Sequence, residues 1–147
     1  MSFKMKSLIA GIFLGLATQV SAASLEVKDA YARAMPAGQP NSAAFMQLNN
    51  PTDEARALVS AQSSVAGVVE LHTHVHEAGV MQMRKIDQIQ VPAGASTQLA
   101  PGGLHIMLIN LQQELSEGSQ IDLQLTLDNG EVLDLQVPVK KIMPMHQ

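Results

Sequence analysis

The stretch "IDLQLTLDNGEVLDLQVPV", residues 121–139, contains two runs in which apolar and polar residues alternate. Because successive side chains of a β-strand point to opposite faces, each run predicts a strand with one buried face. The "DNG" between them, Asp128 to Gly130, is a strong hairpin signal. The buried faces of the predicted hairpin comprise Ile121, Leu123, Leu125 and Leu127 in the first strand and Leu133, Leu135, Val137 and Val139 in the second.

The preceding sequence consists of similar short segments separated by turn residues such as "PAGQPN" at 36–41 and "APGG" at 100–103. We predict strands at residues 25–32, 42–48, 57–63, 68–76, 80–85, 89–91, 97–99 and 105–111. Strands at this spacing, without a long helical pattern, indicate an all-β fold. The expected architecture is an antiparallel β-sandwich or a Greek-key barrel.

The N-terminus has the features of a secretory signal peptide. Lys4 and Lys6 precede an apolar stretch from Leu8 to Leu16, and small residues follow at Ser21 and Ala22. The apolar stretch is too short to cross a bilayer, so we expect residues 1–22 to be removed after Ala22 and no membrane insertion afterwards. The remaining chain is expected to fold as one domain over residues 23–140, followed by a flexible tail at 141–147.

Composition excludes several classes of function. Removal of residues 1–22 leaves 7 basic and 13 acidic residues, a formal net charge of −6, which disfavours nucleic acid as a partner. The chain contains no cysteine, which excludes disulfides, thiolate metal ligands and a blue-copper site. We find no organised nucleophile or phosphate-binding loop and predict that the protein is not an enzyme.

Histidines and methionines are concentrated in "HTHVHEAGVMQM", residues 72–83. On a strand, His72, His74 and His76 share one face. If the following turn has an even number of loop residues, Met81 and Met83 return on that face, opposite His76 and His74. A second group follows at "HIM", where His105 and Met107 share a face of another strand.

Mixed imidazole and thioether donors without thiolates favour copper, and in particular Cu(I), because zinc rarely binds methionine. An imidazole within the apolar "LHIMLI" run would also be costly to bury unless it were hydrogen-bonded or bound to a metal. By contrast, we interpret Met35 and Met46 as ordinary core residues.

The spacing of these residues resembles that of the periplasmic copper chaperones called PCu(A)C, also written PCuAC. Their signature is a His, ten residues, a Met, twenty-one residues and then His-x-Met, and it is met here at His72, Met83, His105 and Met107. The similarity extends through "DAYARAMPAGQPNSAAFMQLNN", "VVELHTHVHEAGVMQMR", "VPAGASTQLAPGGLHIMLINL" and "LDNGEVLDLQVPVK", and so covers nearly the whole mature chain.

The resemblance implies a cupredoxin-like β-sandwich in the periplasm that binds one Cu(I) through those four residues. It also implies copper delivery to the CuA centre of cytochrome c oxidase or to another periplasmic copper chaperone, and we expect a monomer. Possible auxiliary ligands are His74, His76, Met81 and, in the tail, Met143, Met145 and His146. The tail resembles Met/His-rich extensions that some members use for an additional copper ion, and the extra imidazoles could hold a second copper as Cu(II).

Two alternatives use the same residues. One is a periplasmic copper or zinc buffer without a delivery partner. The other is a small cupin-type metalloenzyme, in which His72, His74, Glu77 and His105 would surround iron or zinc. The spacings of the cupin motifs are not met, however, which disfavours the second alternative.

Overall fold

The computed structural model describes residues 24–142 together with Gly11. The signal peptide at 1–22, apart from Gly11, and the tail residues Met143, Met145 and His146 lie outside the described residues. The described part forms ten strands: β1 (Glu26–Arg33), β2 (Asn41–Asn49), β3 (Arg56–Gln62), β4 (Ala66–Glu77), β5 (Val80–Ile86), β6 (Ile89–Val91), β7 (Ser96–Leu99), β8 (His105–Leu111), β9 (Gln120–Leu127) and β10 (Val132–Lys140). Every predicted strand is present, and the all-β prediction is confirmed.

The strands follow one hydrogen-bonded path in the order β5, β4, β8, β2, β1, β10, β9, β3 and β6, with β7 pairing with β2. β1 and β10 are parallel, with Ala32 opposite Val139, and the other pairs among the described strands are antiparallel. Buried side chains from the two halves of this path form one hydrophobic cluster, as expected for a sandwich. No helix long and apolar enough to cross a bilayer occurs among these residues.

The predicted hairpin is formed by β9 and β10. Leu125 lies opposite Leu133 and Leu123 opposite Leu135. The turn is closed by a hydrogen bond from the amide of Leu127 to the carbonyl of Glu131, and Gly130 has a φ of +85°, which favours glycine. All four predicted inward residues of β9 are buried, which confirms the alternation inferred from the sequence.

In the sheet that contains β4, β8 and β2, the alternation of inward and outward side chains also decides where a site can lie. Leu71 of β4, Ile106 of β8 and Met46 of β2 are buried in the core, and full burial of such side chains stabilises by about 1.5–3 kcal/mol each. Met46 is 1% exposed, so its interpretation as a core residue is confirmed. The residues that alternate with these buried positions, including His72 next to Leu71 and His105 next to Ile106, therefore lie on the face of the sheet away from the core.

Candidate metal centre

The β4–β5 hairpin places the first group of histidines and methionines on one face. Glu77 pairs with Val80, so Ala78 and Gly79 form a two-residue loop, and both have positive φ angles of 52° and 78°. Positive φ at both positions is the requirement of a type I′ turn. Because the loop length is even, His74 lies opposite Met83 and His76 opposite Met81, which confirms the conditional prediction.

Pairing between β4 and β8 joins this group to the second one. His72 is the direct cross-strand partner of His105, and Glu70 is the partner of Met107. The centroid of the His105 ring lies 5.7 Å from that of His72 and 5.2 Å from that of His74. The two groups that are separated in the sequence thus form one cluster on the outer face of the sheet.

A cavity of about 440 Å³ opens beside this cluster. Its wall includes two imidazoles and four thioethers, and Phe45, Pro101 and Gly102 contribute to the remainder. The potential donors are His74, His105, Met35, Met81, Met83 and Met107. The cavity therefore contains three members of the predicted primary shell, namely Met83, His105 and Met107.

Met35 was predicted as a core residue, and that prediction is wrong. Its side chain is half-buried and lines the cavity, while its backbone forms an isolated bridge with Leu115. Met35 lies outside the regular strands, so no alternation in the sequence indicates which way its side chain points. Its proximity to a methionine-rich stretch of another strand depends on tertiary structure alone.

His105 is held in a defined orientation. Its side chain is 3% exposed, and its Nδ1 lies 3.0 Å from the carbonyl oxygen of Gly103. A carbonyl only accepts hydrogen bonds, so Nδ1 carries the proton and Nε2 keeps its lone pair. Burial lowers the pKa of His105 below its usual value, although the hydrogen bond to Gly103 opposes part of that effect. Burial thus favours the neutral imidazole, which is the form that binds metals.

His72 is not among the residues that line the cavity but lies beside His105. Its Nε2 is 2.8 Å from Oε2 of Glu70, whereas its Nδ1 is buried and has no hydrogen-bond partner among the described residues. The hydrogen bond to His72 lowers the pKa of Glu70, and Nζ of Lys85 lies 3.8 Å from the other carboxylate oxygen. A buried nitrogen without a partner is unusual, and its lone pair is available to a ligand.

The auxiliary residues differ in position. Met81 shares the cavity with Met83, and each is 49% exposed on the edge strand β5. His74 lines the cavity, and its Nδ1 lies 3.3 Å from the carbonyl oxygen of Gly103. His76 is exposed and is not among the residues lining the cavity.

The residues considered for a cupin-type site are not assembled around an ion. Glu77 forms an ion pair with Arg84 on the neighbouring strand. Within residues 24–142, no group of three or more His, Cys, Asp or Glu side chains could hold a metal ion. Donors at the cavity therefore come from imidazoles together with thioethers.

Known proteins resemble this chain in sequence. The model of the LpqE-like family, described as "Putative lipoprotein LpqE-like", matches residues 25–139. A protein of Leifsonia xyli subsp. xyli, "Putative lipoprotein Lxx21020", is 35% identical over 117 residues, which are 79% of this chain and 69% of that protein. The Rickettsia prowazekii protein RP573 is 26% identical over 108 residues, 73% of this chain and 60% of that protein.

Solved structures with the same fold include PCuAC domains. A copper-bound PCuAC domain from PmoF2 superimposes with a TM-score of 0.68 at 19% identity, covering 82% of this chain and 95% of that domain. The Cu(I) form of DR1885 from Deinococcus radiodurans has a TM-score of 0.66 at 29% identity, covering 86% of this chain and 87% of that protein. These similarities confirm the expected cupredoxin-like fold class.

Proposed function

The chain belongs to the LpqE-like family, and from this membership and the chemistry of its cavity we propose that it is an exported copper chaperone. It binds one Cu(I) through His72, Met83, His105 and Met107. The fold that it shares with a copper-bound PCuAC domain and with the Cu(I) form of DR1885 supports copper as the cargo. The protein acts as a non-enzymatic monomer in the periplasm after cleavage behind Ala22.

The observation that carries the proposal is the donor set of the cavity, in which four thioethers and two imidazoles meet without a carboxylate cluster or a thiolate. Cu(I) is a soft ion that accepts thioether sulfur, whereas zinc prefers imidazole, thiolate and carboxylate. Neutral donors also leave a single positive charge on the bound complex and need no thiol deprotonation.

The unpaired Nδ1 of His72 adds independent support. A buried polar atom without a partner costs about 1–3 kcal/mol of stability. An ion bound between His72 and its cross-strand neighbour His105 would use this lone pair and remove the cost. His74, which lines the cavity on the other side of His105, is a further imidazole within reach of the same region.

The unequal exposure of the proposed ligands supports delivery of the ion to an acceptor. Met83 is 49% exposed on the edge strand, whereas His105 is 3% exposed. Thiolates of an acceptor can therefore displace the exposed thioether first and the buried imidazole last. The acceptor is the CuA centre of cytochrome c oxidase or another periplasmic copper chaperone.

A second copper ion, as Cu(II), is held by the additional donors. His74, which lines the cavity, supplies an imidazole, and the covalent link of Met143, Met145 and His146 to the domain raises their local concentration as further donors. A form that ends at Lys141 separates the two contributions. It retains one Cu(I) and binds less Cu(II) than the full mature chain, and an unchanged copper stoichiometry in both oxidation states would remove the tail from the mechanism.

X-ray absorption of the Cu(I)-loaded mature protein tests the primary site. Sulfur scatterers at about 2.3 Å together with nitrogen at about 2.0 Å are expected, with lengths taken from zinc sites as a guide. A shell of nitrogen and oxygen alone would overturn the proposal. Transfer to an apo CuA domain tests delivery separately, because retention of Cu(I) by the protein would indicate a copper buffer instead.

A further inference from the structure

We propose that Glu70 is a positioning residue that fixes the tautomer of His72, so that His72 offers Nδ1 rather than Nε2 to the copper ion. The part of this proposal that concerns copper rests on the proposed function. The tautomer of His72 is independent of that function, because it follows from contacts within the protein.

The side chains of Glu70 and His72 are in direct contact. Oε2 of Glu70 lies 2.8 Å from Nε2 of His72. An ionised carboxylate only accepts hydrogen bonds, so Nε2 must carry the proton that it donates. A neutral imidazole has one proton on its ring nitrogens, and Nδ1 is consequently left with its lone pair.

Glu70 is held in place by its position on β4 and by Lys85. Glu70 precedes His72 by two residues on β4 and shares its face, and Lys85 is the cross-strand partner of His72 on β5. Nζ of Lys85 lies 3.8 Å from Oε1 of Glu70, which leaves Oε2 for the imidazole. The carboxylate side chain is 24% exposed, so solvent competes only in part for this interaction.

The nitrogen of His72 that does not contact Glu70 is buried. Nδ1 of His72 is inaccessible and has no partner in the described part of the chain. The lone pair of this buried nitrogen is therefore not used by any of the described protein groups. Carboxylate–histidine–metal arrangements of this kind orient a ligand ring and raise its basicity.

The neighbouring His105 is oriented in the opposite sense. Its Nδ1 donates to the carbonyl of Gly103, so Nε2 is free. The two cross-strand imidazoles are therefore presented through different nitrogens, Nδ1 from His72 and Nε2 from His105. This pair of assignments can be read by NMR, because Cu(I) is a closed-shell ion and does not broaden the spectra.

Long-range ¹⁵N–¹H correlation spectra of the mature protein at mildly alkaline pH, where histidine is neutral, test the proposal. In the metal-free protein we expect a protected proton on Nε2 of His72 and on Nδ1 of His105. With Cu(I) bound, both protons remain and the other nitrogen of each ring shifts. A proton on Nδ1 of metal-free His72, or copper on its Nε2, would overturn the proposal.

Substitutions of Glu70 distinguish a role in positioning His72 from a purely structural role. In Glu70→Gln the amide can accept a hydrogen bond from Nε2–H or donate one to Nε2, so both tautomers of His72 are populated. Glu70→Ala removes the contact and weakens Cu(I) binding by about tenfold or more. Glu77→Gln, on the same strand but paired with Arg84, is the matched control and leaves both readouts unchanged. A protected proton that is retained on Nδ1 of His105 shows that each variant is folded.

The outcomes distinguish this inference from the proposed function. If the wild-type protein has the expected tautomers but does not bind Cu(I), the proposed function fails and the role of Glu70 toward copper fails with it. If wild-type protein binds Cu(I) but Glu70→Ala retains the protected Nε2 proton and full affinity, the positioning role alone is rejected.

Discussion

His72 and His105 are direct cross-strand partners, and each ring is held through a different nitrogen, Nε2 of His72 by Glu70 and Nδ1 of His105 by Gly103. The two imidazoles are thus fixed before any ion arrives. The thioethers of Met81 and Met83, by contrast, are half exposed on an edge strand. The combination of oriented nitrogen donors and accessible sulfur donors supports the proposed binding and delivery of copper.

Met83→Leu and Met107→Leu are each expected to weaken Cu(I) binding by about tenfold or more, since even changes outside the ligand shell cost about 10–100-fold at metal sites. Leucine retains much of the volume and apolar character of methionine, so the fold should be preserved. Competition with a chromophoric Cu(I) chelator measures the change. Met46→Leu is the matched control because Met46 is buried in the core, and an equal loss in that variant would indicate a general effect on folding.

The turn of the β4–β5 hairpin offers a stability prediction. Ala78 has a φ of 52°, a conformation that costs a residue with a Cβ about 1–2 kcal/mol. Asn tolerates this conformation and precedes glycine in favoured type I′ turns, so Ala78→Asn should raise the free energy of unfolding by about 0.5–1 kcal/mol. Urea denaturation of the variant and the wild type measures this change in the free energy of unfolding.

Gly79→Ala is the opposing variant for this turn. No atom lies within 4 Å of the added Cβ, so its cost comes from the φ of +78° alone. Destabilisation by about 1 kcal/mol is expected. A neutral result for both substitutions would show that the hairpin turn does not contribute to global stability.

The sequence predicted the local structure better than the site. All ten strands follow from the alternation of apolar and polar residues and from the turn residues. The placement of His74 opposite Met83 follows from a loop with an even number of residues. These features depend on residues that are close in the chain. Alternation does not say which distant strands are neighbours, so the pairing of His72 with His105 required the structure.

Two functional candidates were missed for different reasons. Met35 lies outside a regular strand, where no periodicity predicts the direction of its side chain. Glu70 had a usable signal, since it precedes His72 by two residues and must share its face. A glutamate on a strand is more often solvated, however, and only the 2.8 Å contact distinguishes the two possibilities.

The start of the domain is expected to show a pH-dependent contribution. The Ser24 hydroxyl donates a hydrogen bond to Glu131 and lowers the pKa of that carboxyl below its ordinary value of 4.5. A carboxyl whose pKa is lower in the folded state stabilises fully above 4.5 and loses this contribution as the pH falls through the folded pKa.

Ser24→Ala should therefore lower the free energy of unfolding at neutral pH, and the difference from wild type should shrink under acidic conditions. Urea denaturation over a pH series measures this trend. Ser60→Ala, at an exposed position of β3, is the control. A difference that is independent of pH would show that Ser24 acts through packing and not through the charge of Glu131.

Cu(II) binding should distinguish the two histidines that depart from the family spacing. His74 lines the cavity with its ring centroid 5.2 Å from that of His105, whereas His76 is exposed and does not line it. His74→Asn is thus expected to weaken Cu(II) binding several-fold and to simplify the nitrogen hyperfine pattern in electron paramagnetic resonance, because one imidazole is lost from the ion. His76→Asn, two residues along the same strand face, is the matched control and should leave both measurements unchanged. Equal effects of the two substitutions would assign Cu(II) to the exposed strand face instead of the cavity, and the absence of any effect would assign it to donors outside β4.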